Sequence, residues 1–151
     1  MKAVIQRVSR AKVKINASEE RQTGRGLVVL LGIGENDTEA EARWLSDKIT
    51  GLRIFPGEDG KFSYSAADIR GDLLIIPQFT LYGNCAKGKR PDFIRAARAE
   101  KAEPLYKKFV EFTGASGLNI KTGEFASDML VEIFNDGPVT IIIDTDEKNK
   151  N

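Results

Sequence analysis

Near the C-terminal end, two β-like runs, residues 129–134 (Met-Leu-Val-Glu-Ile-Phe) and 139–143 (Val-Thr-Ile-Ile-Ile), are separated by Asn135-Asp136-Gly137-Pro138. Proline has no amide hydrogen to give to a ladder, so inside a sheet it is confined to an edge, a bulge or a turn. Neither run can therefore pass through Pro138 as a regular central strand. Gly-Pro is also a step at which the cis isomer is accessible. Asn, Asp, Gly and Pro are the residues of tight turns, so local chemistry favours a hairpin between two strands. The competing reading is a bare backbone corner that aims carbonyl oxygens at a ligand.

The rest of the chain suggests what such a corner would be attached to. Residues 3–8 and 11–15 read as two strands, the second alternating apolar and polar. Residues 18–25 are polar and read as a turn. The run 26–33 is continuously apolar, as in a strand covered on both faces. Asp37 or Thr38 caps a helix to about residue 49, with Glu39 and Glu41 in its first turn, where the helix dipole favours acids. A short strand, 52–55, precedes an irregular stretch, 60–67. A buried strand, 72–76, runs into Pro77-Gln78-Phe79-Thr80. Residues 91–98 suggest a short helical start, 101–113 an amphipathic helix with Leu105, Phe109 and Phe112 on one face, and 118–122 a strand. This order predicts an α+β fold of two packed, mostly antiparallel or mixed sheets with helices on one face. At 151 residues one domain is expected. It covers 1–145, with 146–151 a polar tail that frays.

Composition narrows the chemistry. The chain contains no histidine and one cysteine, Cys85. That removes Ser-His and Cys-His nucleophile pairs, His-ligated metals and thiolate zinc clusters. No metal site or cofactor is expected. A lone cysteine excludes an internal disulfide and suits a reducing compartment, so a cytoplasmic location is expected, with no membrane span and no signal-peptide layout. The net charge of +1 gives no global attraction to nucleic acid. Lys87, Lys89 and Arg90 nevertheless cluster in one stretch, with Arg95 and Arg98 beyond, as a phosphate-contacting patch would. A solvated loop fits the same residues. The glycines 32 and 34 lack the third member of a dinucleotide fingerprint, and the scattered acids lack metal-ligand spacing. Two segments remain as carriers of chemistry: the strand end at Gln78-Phe79-Thr80, where backbone amides can serve an oxyanion, and the Gly137-Pro138 corner.

Across its full length the chain resembles the D-aminoacyl-tRNA deacylase family. The resemblance lies in the opening Met1-Lys2-Ala3-Val4-Ile5-Gln6-Arg7-Val8, the apolar run 26–32, Leu52-Arg53-Ile54-Phe55, Gln78-Phe79-Thr80-Leu81, Lys89-Arg90-Pro91-Asp92-Phe93, Thr122-Gly123-Glu124-Phe125 with Met129, and Asn135-Asp136-Gly137-Pro138-Val139-Thr140. It implies a homodimer in which a cis Gly-Pro dipeptide of each subunit enters the partner's pocket. It also implies hydrolysis of the ester between a D-amino acid, or glycine, and the 3′ end of tRNA. By the same resemblance Gly137 and Pro138 select chirality and Arg7 holds them. Gln78, Phe79 and Thr80 line the catalytic pocket, with Phe125 and Met129 nearby. One departure stands out: the family usually has serine where this chain has Pro77. Pro-Gln there is similar to an animal branch that clears certain L-aminoacyl esters, although the residues that follow keep the D-specific pattern. A non-catalytic nucleic-acid-binding protein on the same fold is the alternative.

Overall fold

The computed structural model describes residues 1–148. Its strands are β1 (Lys2–Ile15), β2 (Glu19–Thr23), β3 (Gly26–Gly32), β4 (Phe55–Pro56), β5 (Phe62–Tyr64), β6 (Asp72–Pro77), β7 (Ile120–Thr122) and β8 (Met129–Asp144), with helices α1 (Glu39–Thr50) and α2 (Ala99–Gly114). Six strands make one mixed sheet with the path β2-β1-β3-β6-β7, and β8 pairs with β1; β4 and β5 form a separate two-stranded ribbon. The two packed sheets expected from the sequence are thus one large sheet and a small ribbon.

The difference arises at β1. Residues 3–8 and 11–15 are one strand, not two. Its first half pairs with β3 and its second half with β2, while β8 runs antiparallel along the opposite edge of both halves. At Ser9 the register slips: Val8 faces Asn135, but Arg10 faces Phe134. One extra residue on one strand is a β-bulge, and it reverses which alternate side chains face which way. Ala3 and Ile5 accordingly belong to a core shared with both helices, whereas Val8, Ala11, Val13 and Ile15 belong to a second core with Val28, Leu74 and Ile76. The buried β3–β6 pair is parallel, and it approaches so closely that a Cβ on Gly26 would lie 1.8 Å from the Asp72 carbonyl oxygen.

The C-terminal runs also join. Both halves of β8 pair with β1, so the Asn135–Thr140 segment is an excursion within one strand rather than a hairpin between two. β2, read as a turn, is a strand whose sequence is polar because it faces water. Glu20 reaches Lys12 and Lys14 of β1, and Lys12 continues to Glu132 of β8. Residues 91–98 form no helix; they are stitched instead to the end of β3 through a Gly34–Ala96 bridge and a hydrogen bond from Ala97 N to the Ile33 carbonyl.

Helix α1 begins at Thr38, with a reciprocal capping box: the Thr38 hydroxyl accepts from Ala40 N, and Glu41 accepts from Thr38 N at 3.0 Å. Asp37 has a different task. It is buried, and accepts from the Met1 ammonium, from Gly34 N at 2.6 Å and from the Tyr82 hydroxyl at 3.3 Å. Burial, reinforced by the Asp37 charge, pushes the Tyr82 phenol far above its ordinary range.

The chain is packed just before the expected tail, 146–151, and Lys148 within it makes an ion pair. Thr145 is buried, its amide donating to the Met1 carbonyl at 2.8 Å, and Lys148 pairs with Glu41 at 2.5 Å. Residues 149–151, the remainder of that tail, lie outside the described residues. Lys148 and then Thr38 hold the Glu41 carboxyl down to about 2, from an ordinary 4.5. Because the folded value is the lower one, the stabilisation is complete above 4.5 and fades as pH falls toward about 2. Glu41→Gln is therefore expected to be less stable than the parent near neutrality, with the gap closing through that acid window. Urea titrations at a series of pH values check this; a gap independent of pH would contradict it.

Candidate active site

The site is built where β6 ends. Its register places Pro77 opposite Leu31 of β3, and Gln78 N donates to the Leu31 carbonyl at 2.8 Å. A proline is tolerated here because the ladder is finishing. The chain then bends into a 3-10 turn, Phe79–Tyr82. The first amides of any helical turn lack an internal acceptor. Among the described residues, the Phe79 and Thr80 amides donate to no carbonyl or side chain. The Gln78 side-chain amide donates to the Thr80 hydroxyl, tying these two groups together. Phe79 is 58% exposed, and its ring meets Phe93 edge-on at 5.1 Å.

These residues border a cavity of about 420 Å³. Leu31, Ile33 and Ile76 form its floor, and Pro77, Gln78 and Phe79 one rim. Small residues at the start of α2, Ala99 and Ala102, leave the room, and residues 125–129 make the far wall. Gly123 packs closely behind that wall: a Cβ there would lie 2.7 Å from Met129 Sδ and 3.2 Å from Pro77 Cδ. Below, Tyr106 donates to the Ile75 carbonyl at 2.8 Å, and burial raises its phenol well above the ordinary value. Neither this phenol nor that of Tyr82 can act as a base near neutral pH. The described residues contain no group of three or more His, Cys, Asp or Glu side chains placed to hold a metal, and no helix long and apolar enough to cross a membrane.

Gly137 and Pro138 lie elsewhere on the same subunit. They are exposed at the tip of the β8 excursion, joined by a cis peptide bond, and Gly137 has φ +129°. Arg7 is buried beneath them: its Nε donates to the Asp136 carbonyl at 3.0 Å and its Nη1 to the Ile54 carbonyl at 2.7 Å. Asn135 spans the neck, its Oδ1 accepting from Val139 N and its Nδ2 donating to Thr140 Oγ1, both at 2.9 Å. A Cβ on Gly137 would meet Arg7 Nη2 and Val139 Cγ2 at 2.8 Å.

Of the residues singled out from the sequence, the fold gathers Pro77, Gln78, Phe79, Phe125 and Met129 on one cavity, with Thr80 tied to Gln78. Arg7, Gly137 and Pro138 form a second cluster that does not line the cavity of its own subunit. Lys87, Lys89 and Arg90 are exposed on a loop whose neck is the Asn84–Asp92 bridge. Sequence reasoning missed Ala97, Ala99 and Ala102, whose only signal is small size just before and within the first turn of α2.

The D-Tyr-tRNA(Tyr) deacylase family matches residues 4–144. A D-aminoacyl-tRNA deacylase of Thermotoga petrophila is 50% identical over 145 residues, covering 96% of this chain and 97% of that protein. Its counterpart in Symbiobacterium thermophilum is 50% identical over 147 residues, covering 97% of each. A solved structure described as c-Myc DNA Unwinding Element Binding Protein superposes with a TM-score of 0.89 at 43% identity, covering 96% of this chain and 99% of that one. A probable eukaryotic D-amino acid tRNA deacylase shares the fold, with a TM-score of 0.85 at 17% identity over 94% of this chain and 97% of its own. The mixed, barrel-like sheet with two helices is the fold of an enzyme class, the ester hydrolases that act as aminoacyl-tRNA deacylases. Within that class, this chain belongs to the D-Tyr-tRNA(Tyr) deacylase family.

The tight packing behind the wall makes Gly123 a sensitive position. Gly123→Ala is expected to cost roughly 1–3 kcal/mol, because the new methyl must displace Met129 or Pro77. Chemical denaturation measures it, and a variant as stable as the parent would show that the wall yields freely.

Proposed function

We propose that this chain hydrolyses the ester joining a D-amino acid to the 3′ end of tRNA, releasing free amino acid and tRNA, and that it also clears glycine mischarged on tRNA(Ala). The observation that carries this reading is the pair of acceptor-free amides, Phe79 and Thr80, in the turn that begins where Gln78 and Phe79 line an apolar cavity, which offers no activated nucleophile. An aminoacyl ester is intrinsically reactive. Water adds to its carbonyl, the charge that develops on oxygen is met by those amides, and the tetrahedral species collapses with loss of the ribose 3′-oxygen, which takes up a proton. Oxyanion donors of this kind contribute roughly 2.7–4 kcal/mol each. The Thr80 hydroxyl is engaged by Gln78 and has no histidine to activate it, so it is not the nucleophile. The ribose 2′-hydroxyl beside the ester assists the water. Pro77 removes the hydroxyl that the family's usual serine would place here.

Chirality is read by backbone. In this reading two copies associate, and the partner subunit's Gly137 and Pro138 turn their carbonyls toward the substrate α-ammonium. With that group fixed, a D side chain leaves the pocket and an L side chain collides with the backbone, which is discrimination by steric rejection. Glycine has nothing to reject. Two observations support a second copy. The selector residues stand away from their own cavity, and β8 has no strand on its outer edge among the described residues while exposing Leu130 and Ile142 at 64% and 73%. Lys87, Lys89 and Arg90 would follow the tRNA phosphates. Nucleic-acid binding without hydrolysis has one observation behind it, the name of the solved relative that binds a DNA element.

Incubation with D-Tyr-tRNA, L-Tyr-tRNA and glycyl-tRNA tests the reading. Release of D-tyrosine and glycine with L-Tyr-tRNA spared is the expected result. Equal clearance of the L ester would place the chain with the relaxed branch, and salt-dependent binding without any hydrolysis would favour the nucleic-acid-binding alternative. Thr80→Ala and Thr80→Val should each keep activity within about tenfold of the parent. Loss of several orders of magnitude in both, with folding intact by circular dichroism, would mean that the hydroxyl takes part in the chemistry.

A further inference from the structure

The path β2-β1-β3-β6-β7 leaves β2 and β7 at opposite ends of the sheet, yet the two strands lie against each other. No ladder joins them among the described residues. The seam is crossed by Arg21 of β2, whose Nη1 donates to the Thr122 carbonyl at 2.7 Å, to Thr122 Oγ1 at 3.2 Å and to the Gly123 carbonyl at 3.5 Å. Glu19 accepts from Arg21 Nε at 2.7 Å and steadies the guanidinium from the solvent side. These carbonyls stand where β7 ends and the far wall of the cavity begins. Gly123 N donates to the Ile75 carbonyl at 2.8 Å, the Glu124 amide points at Met129 Sδ at 3.4 Å, and the wall closes where Asn16 N donates to the Asp128 carbonyl at 2.9 Å. The wall is therefore anchored at its start by Arg21 and Ile75 and at its end by Asn16.

We propose that Arg21 is a positioning residue for substrate binding: by clamping the Thr122 and Gly123 carbonyls across the open seam, it sets residues 125–129 against the cavity. This rests on the deacylase reading for its kinetic part only. Arginine suits the task because its planar fork reaches several acceptors from one rigid group, while a lysine ammonium is a single, strongly hydrated point. Among the described residues Arg21 makes no hydrogen bond to a cavity-lining side chain, so its influence passes through the backbone it holds. Loss of the clamp should loosen the wall that receives the substrate and leave the Phe79 and Thr80 amides where they are, because their turn is anchored separately by the Gln78 N to Leu31 carbonyl bond. Binding should suffer and the chemical step should not.

The chain contains two methionines, Met1 in the helix-covered core and Met129 in the wall. In the full-length protein labelled with 13C-methyl methionine, Met129 reports on the wall and Met1 on the fold. Arg21→Ala is expected to shift or broaden the Met129 methyl resonance and to leave that of Met1 in place. It should also raise KM for D-Tyr-tRNA roughly tenfold with kcat changed less than about threefold. Arg21→Lys should recover part of both. An unmoved Met129 resonance, or a fall in kcat at constant KM, overturns the proposal. Should Arg21→Ala fail to fold, Arg21→Gln, which keeps a donor for one carbonyl, is judged on the same two readouts. If the parent hydrolyses no D-aminoacyl ester, the deacylase reading fails while the Met129 resonance still decides the role of Arg21.

Discussion

Everything else in this structure depends on the antiparallel pairing of β1 with both halves of β8. Because the ladder resumes on either side of residues 136–139, the two ends of that excursion are fixed a short distance apart and its tip has nowhere to go but outward. The backbone that leaves the ladder loses its partners there. Arg7, buried in β1 directly opposite, supplies a replacement at the Asp136 carbonyl and uses its other arm on the Ile54 carbonyl, ahead of the β4–β5 ribbon. A charged side chain is tolerated in that position because its donors are met by carbonyl oxygens. The proposed selector thus takes its rigidity from a sheet edge and one guanidinium.

The proposed chemistry draws on equally few groups. The cavity is apolar, the turn that begins at its edge offers two backbone amides, and the nearby hydroxyl and carboxamide are occupied with each other. The two buried phenols are held in their neutral form. Catalysis in the proposed mechanism would come from fixed donors. In the proposed mechanism no side chain performs chemistry, so the close contacts around Gly123 and the seam behind the wall would bear on function through placement of the substrate.

Much of the fold was legible in the sequence where burial imposes a pattern. The continuous apolar runs of β3 and β6, the capped α1 and the amphipathic α2 all carry their period openly. Three features were hidden. β2 has no apolar signal because its side chains face water and its energy lies in pairs such as Lys12 with Glu20. The continuity of β1 was masked by Ser9 and Arg10, an exposed polar pair that reads as a break and is a bulge. The corner at Gly137-Pro138 looked like a hairpin because a turn and an excursion use the same residues, and only the pairing partner tells them apart. At the cavity, Gln78 and Phe79 stood out as a polar strand end after a buried strand, whereas Phe125 and Met129 came through resemblance alone, since nothing in their local pattern distinguishes a pocket from a core. The alanines that make the cavity roomy carry only their small size as a signal, which a surface helix shows equally.

The bulge at Ser9 has one more consequence. It sends β1 from the core beneath the helices into the core formed with Val28, Leu74 and Ile76, so a single continuous strand is a structural member of both. β3 and β6 contribute to both in the same way through their alternate residues. Neither core can come apart without pulling these three strands out of the other, and the molecule is wired to lose its structure in one cooperative step rather than in halves.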